Sequence, residues 1–191
     1  MLLDLKDFDF DKLMLGPKPA NSKGPTELAD GEHTSVSVTY NDVNTKPVIR
    51  FDAKVISEVQ NSTFGDVSKI ILEVLPEDVD AVKTFSLGVI KKVAKLCGLT
   101  PESVYPNSLV NDYDFMTLGF KPYPKDTAQI VCRVDGIRTS KDDMKRKFLV
   151  NDEVSIKAHL SIYFVKNDDG AMRAGISLQK MAIDKYAIIK Q

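Results

Sequence analysis

The chain has 191 residues, a net charge of -1, 43% apolar residues and 28% charged residues, which suits one ordinary domain or a domain with an arm. This composition excludes a wholly disordered chain, and no apolar run approaches a bilayer span. The opening MLLDLKDFDFDKL carries acids where a secretory leader carries bases, and Cys97 and Cys132 have no paired spacing, so reduced thiols in an intracellular, non-secreted protein are expected.

The near-neutral total hides an asymmetry. Residues 1–45 hold 4 basic and 8 acidic side chains, net -4, whereas residues 46–191 are net +3. Met1–Leu15 alternates Leu5, Phe8, Phe10, Leu13 and Leu15 with Asp4, Asp7, Asp9 and Asp11. Gly16–Gly31 then has the Pro, Gly and small polar residues of a linker. Residues 1–33 therefore read as an acidic-aromatic arm and linker, and residues 34–191 as the main domain; the first fifteen residues are a tethered segment that docks somewhere, and an ordinary strand or helix packed on its own barrel is favoured over a regulatory arm.

Ser35–Tyr40 predicts a short strand and Pro47–Gln60 a longer one, with Ile49, Phe51, Ala53 and Val55 in step against Arg50, Asp52 and Lys54. Val67–Leu75 follows as a strand that bears Lys69 on its polar side. Pro76-Glu77-Asp78 opens a helix whose apolar residues, Val79, Val82, Ser86, Val89, Ile90 and Val93, recur at three- and four-residue steps. Gly98 ends it. Gly88 within the helix costs about 1 kcal/mol relative to Ala, which implies close packing there. Thr100-Pro101 starts a short second helix.

Asn107–Lys125 reads as a long irregular segment containing Phe115, Phe120, Lys121 and Tyr123. Gln129–Gly136 is a strand with Arg133 on its polar parity, and Ile137–Lys147 is a basic connection holding Arg138, Lys145, Arg146 and Lys147. Asn151–Ile189 forms a long hairpin. Val154, Ile156, Ala158, Leu160, Ile162 and Phe164 alternate with Lys157, His159 and Tyr163. Asp168-Asp169-Gly170 turns the chain, and Arg173 lies on the return strand. Five or six such strands close most economically as a small barrel with one inserted helix.

Catalytic signatures are missing. His33 and His159 lack partners at metal-ligand spacing. There is no phosphate loop and no nucleophile elbow, and the acid pairs sit in polar turns. A non-enzymatic binding protein without metal or cofactor is expected. Basic residues interleaved with aromatics suit an unpaired polynucleotide, which needs a positive groove and flat rings. The candidate contacts are Arg50, Lys54, Lys69, Phe115, Phe120, Lys121, Tyr123, Arg133, Arg138, Lys145, Arg146, Lys147, Lys157, Tyr163 and Arg173.

KIILEVLPEDVDAVKTF, QIVCRVDG, FLVNDEVSIKAHLSIYFV and RAGISLQKMAIDKY follow one another between Lys69 and Tyr186. This order resembles the bacteriophage replicative single-stranded-DNA-binding proteins with an OB-fold. The resemblance implies a mainly β chain: a five-stranded OB-fold-like barrel with one inserted α-helix and an N-terminal arm. It also implies a protein that coats single strands in viral DNA replication, recombination and repair, in the host cytoplasm or at the replication site. Such proteins contact the polymerase and helicase and often form homodimers, with no membrane association. Lys157, Tyr163 and Arg173 map onto the matched segments. Those proteins usually end in an acidic tail with a terminal aromatic, whereas this chain ends YAIIKQ. Asp7-Phe8-Asp9-Phe10-Asp11 is the stretch that could take that role. The alternatives are a viral structural or assembly protein on a β-sandwich and a binder of duplex DNA or RNA.

Overall fold

The computed structural model describes residues 1–58, 60–61, 68–110, 115–120, 130–139, 143 and 146–186, with residues 60–61, 68–69, 115–120 and 130 described through their backbone. In chain order the elements are β1 (Leu2–Asp4), β2 (Leu13–Leu15), β3 (His33–Tyr40), β4 (Val48–Val55), β5 (Gln60–Asn61), β6 (Ser68–Val74), α1 (Val79–Leu96), β7 (Val104–Asn107), β8 (Phe115–Phe120), β9 (Ile130–Val134), β10 (Ile137–Arg138), β11 (Glu153–Lys166) and β12 (Met172–Lys185). The chain is mainly β, 43% strand, with α1 as the one long helix among the described residues, as expected. The sheet is large, mixed and not closed, where the strand count predicts a closed five-stranded barrel. The difference lies in short strands that carry little periodic signal, and in β7 and β9, which run parallel to β12.

The residues cluster in two compact units. The first comprises Met1–Ile49, Asp80–Leu109 and His159–Leu178. In it β2 pairs with β3, β3 with β11 (Ser37 opposite Ser161, Ser35 opposite Tyr163) and β7 with β12 (Tyr105 opposite Arg173). Val82, Phe85, Ser86, Val89, Ile90, Val93 and Ala94 form the buried stripe of α1. Gly98 closes the helix at φ 81.

The N-terminal segment is packed into this unit. Leu5, Phe8 and Leu13 are buried. The Phe8 ring meets Phe85 edge-on at 4.9 Å and Tyr40 at 5.0 Å, while the Asp9 N–H donates to Tyr40 Oη. Phe10 occupies the space above Gly88, where a Cβ would lie 2.5 Å from its Cζ, so the helix glycine is the seat of an aromatic ring. Asp11 pairs with Lys92 of α1 at 3.0 Å. Both rings that a mobile tail would offer to partners are thus committed here.

The second unit comprises Arg50–Val79, Val110–Ala158 and Gln179–Gln191. Its registers place Lys54 opposite Glu73, Glu73 opposite Phe115, and Asp184 opposite Arg133. β4 alternates as expected: Phe51, Ala53 and Val55 are buried and Arg50 is exposed. Two expectations are corrected here. Phe115 and Phe120 stand on β8, paired with β6, and not in an irregular segment. The strand expected to run through Gly136 ends at Val134, because Asp135 (φ 49) and Gly136 (φ 79) make a two-residue turn with the positive φ of a type I′ hairpin into β10.

The return strand of the long hairpin breaks its own alternation. Ala174 and Ile176 are buried on even positions, then Met181 and Ile183 on odd ones. The slip falls at Gln179–Lys180, and Lys180 sits at φ 47. One extra residue with a left-handed conformation is how a β-bulge resets side-chain parity. A lysine there carries a steric cost that glycine avoids.

Two outcomes follow for stability. Phe8→Ala removes a buried ring from its contacts with Phe85 and Tyr40 and should lower unfolding free energy by about 3 kcal/mol in a urea titration. Lys180→Gly should raise it by about 0.5–1 kcal/mol, and Lys180→Val should lower it, if the positive φ is what the bulge requires.

Candidate nucleic-acid interface

In the first unit the site begins with a glycine. A Cβ on Gly175 of β12 would collide with Oη, Cζ and Cε1 of Tyr163, so the phenol end of Tyr163 lies across the bare backbone of the neighbouring strand. Asn107 Nδ2 donates to Tyr163 Oη at 3.1 Å from β7, beyond β12. The ring is thereby held at both ends, by its strand and by its hydroxyl, and stays half-buried.

The register extends this face. Asn107 and Tyr105 share a parity on β7, and their partners on β12 are Gly175 and Arg173. Tyr105 is 65% exposed and Arg173 is exposed. On β3, Ser35 stands opposite Tyr163 and His33 opposite Val165, both exposed. The opposite parity is dry: Val104, Ala174, Ile162 and Phe164 are buried. No carboxylate occupies a position of this parity on β3, β7 or the first-unit stretches of β11 and β12.

The outward parity of the second unit gathers more cations, but with counter-charges. Arg133 donates from Nε and a terminal nitrogen to the two Asp184 oxygens, at 2.6 and 2.9 Å. Lys157 approaches the same carboxylate at 3.3 Å. Asp184 is 3% exposed, so two cations from β9 and β11 serve one buried anion. The Asp184 contact raises the Arg133 pKa, and its guanidinium is charged at any working pH. Lys54 pairs with Glu73 at 3.3 Å. Arg50 is exposed on the same parity of β4. Lys69 stands opposite Gly119, four residues from Glu73 and on its parity. Phe115 stands opposite Glu73, whereas Phe120, five residues on, falls on the other parity opposite Ser68.

Arg138 is the cross-strand partner of Arg133 on β10. Arg146 and Lys147 both face Asp143, the lysine at 3.9 Å. Lys121, Tyr123 and Lys145 lie outside the described residues. The structure therefore brings Tyr163 and Arg173 together in one unit, and Arg50, Lys54, Arg133 and Lys157 on one sheet face of the other. Sequence reasoning misses Tyr105, Asn107 and the seat at Gly175 in the first group and Asp184 in the second. The one readable signal is Val104-Tyr105-Pro106-Asn107, a short alternation with a proline that only an edge strand tolerates.

Other chemistry is sparse among the described residues. No group of three or more His, Cys, Asp or Glu could hold a metal ion, and no helix is long and apolar enough to cross a membrane. Burial pushes the Cys132 thiol up to about 12, so it is no nucleophile. A cavity of about 280 Å³ in the first unit is lined by Lys18, Lys23 and Cys97, but both lysines already pair, with Glu27 at 2.8 Å and Glu32 at 2.7 Å. No protein-family model matches the chain, and no curated protein matches it.

Asp184→Asn should separate structural from ligand roles in the second unit. Arg133 and Lys157 lose their shared anion, so unfolding free energy should fall by about 1–3 kcal/mol in urea. An unchanged midpoint would mean that the charge pairing contributes nothing.

Proposed function

We propose that this protein is a non-enzymatic single-stranded-DNA-binding protein, coating unpaired strands through ring stacking and phosphate contacts on an open, OB-like sheet. The observation that carries the reading is Tyr163. A ring laid across Gly175 and tied by Asn107 is ordered before any ligand arrives, so stacking a base on it costs little side-chain entropy. Exposed Arg173 on the same face supplies a cation for a phosphate, with no carboxylate on that parity to compete. Arg50 and the more exposed atoms of Arg133 and Lys157 add positive surface in the second unit.

The resemblance of the hairpin segments supplies the setting: viral DNA replication, recombination and repair, with a polymerase or helicase as protein partner and self-association into dimers. The packed N-terminal segment speaks for a structural role of Phe8 and Phe10, and leaves partner recruitment to other surfaces.

The test is a fluorescence anisotropy titration of the full chain with labelled oligothymidylate, a duplex of equal length and a single-stranded RNA, at two salt concentrations. Preference for the single DNA strand, with affinity falling as salt rises, is expected. No binding at low salt, or preference for the duplex, would overturn the reading. Tyr163→Ala should weaken binding by about 1–3 kcal/mol with the salt slope retained.

A further inference from the structure

Tyr105 belongs to no feature that the hairpin or the helix explains. It is the most exposed tyrosine among the described residues, at 65%, on a four-residue strand whose next residue is a proline. An edge strand has no packing use for a ring turned to water, and a solitary exposed aromatic would by itself be unremarkable surface. Its register is what changes the reading. Tyr105 stands beside Arg173, and Arg173 is two positions from Gly175, where the Tyr163 ring rests. Asn107, two residues along the same parity of β7, holds that ring by its hydroxyl. One short edge strand thus carries an open ring and the clamp for a second ring.

We propose that Tyr105 is a second stacking residue, and that Tyr105 and Tyr163 receive two neighbouring unpaired bases while Arg173 takes a phosphate of the same strand. With strands about 4.8 Å apart, the tyrosine backbones lie about 10–12 Å from one another across β12. That separation, shortened by the lean of the Tyr163 ring toward β7, is within reach of adjacent nucleotides of an extended strand and leaves Arg173 between them. Asn107 is a positioning residue: it acts on the ligand through the Tyr163 ring. A duplex keeps its bases stacked inside and offers neither ring a face, so the site selects unpaired polynucleotide. This inference rests on the single-strand-binding reading above.

The test uses the full chain, labelled oligothymidylate and anisotropy at two salt concentrations, on wild type, Tyr105→Ala, Tyr105→Phe and Arg173→Ala. Tyr105→Ala should weaken binding about 5- to 100-fold with the salt slope unchanged, Tyr105→Phe should bind as wild type, and Arg173→Ala should flatten the slope by about 0.7. Because the chain contains no tryptophan, Tyr105→Trp adds a lone indole whose emission should be quenched as oligothymidylate saturates the protein. Wild type that binds, with Tyr105→Ala binding equally well and the indole unquenched, overturns the second ring and leaves the general reading standing. Equal loss in Tyr105→Phe and Tyr105→Ala would also overturn it, since stacking does not need the hydroxyl. Wild type that fails to bind removes both.

Discussion

The constraint on which this structure turns is the two-residue period of β11. Val154, Ile156 and Ala158 are buried in the second unit and Leu160, Ile162 and Phe164 in the first, so the strand keeps the same parity dry within each. Every strand beside it must present its own apolar residues on that same side. β4 does so without interruption, and β12 does so only by inserting one residue at Gln179–Lys180. The slip that returns Met181 and Ile183 to the dry side also turns Asp184 to the side of Lys157 and Arg133. A carboxylate that is 3% exposed could not be tolerated there unpaired, so the bulge and the two cations depend on one another.

The two units treat charge differently. On the outward parity of the second, Arg133, Lys157 and Lys54 meet Asp184 and Glu73, and a phosphate would have to compete with those carboxylates. On the corresponding parity of the first, Arg173 and His33 stand among serines, tyrosines, Asn107 and Gly175. The Arg173 guanidinium is worth more to an anion there, because no acid occupies that parity to engage it. Gly175 contributes by what it lacks. The absent side chain lets the Tyr163 ring cross onto the next strand, and Asn107 fixes its far end. The charge count along the sequence favours the second unit; the geometry favours the first.

The long periodic elements were legible from residue types. The alternation of β4, β6 and β11, the three- and four-residue steps of α1, the turn at Asp168-Asp169-Gly170 and the close packing at Gly88 each follow from local pattern. The same local reasoning failed at β7, β8 and β10, where two to six residues carry too few repeats to define a period, and at Asp135-Gly136, whose turn signal was absorbed into a strand. It failed again at Lys180, because a parity slip is invisible unless the burial of both flanking stretches is known. From residue types the segment of Phe8 and Phe10 reads first as one packed on its own domain and second as an acidic-aromatic arm; contacts with Phe85, Tyr40 and Gly88 place both rings in packing.

What the amino-acid order determined unaided is therefore the class of structure and the kinds of side chain at hand: a mainly β chain with a long amphipathic helix, and cations interleaved with rings. Alternation and helical spacing are properties of consecutive residues, so they survive in one dimension. Which ring lies beside which cation is a property of strand register. Tyr105 meets Arg173 across 68 positions of sequence, and Asn107 meets Tyr163 across 56. Only the pairing of β7 with β12, and the empty place that Gly175 leaves for a ring, could bring those residues to one face.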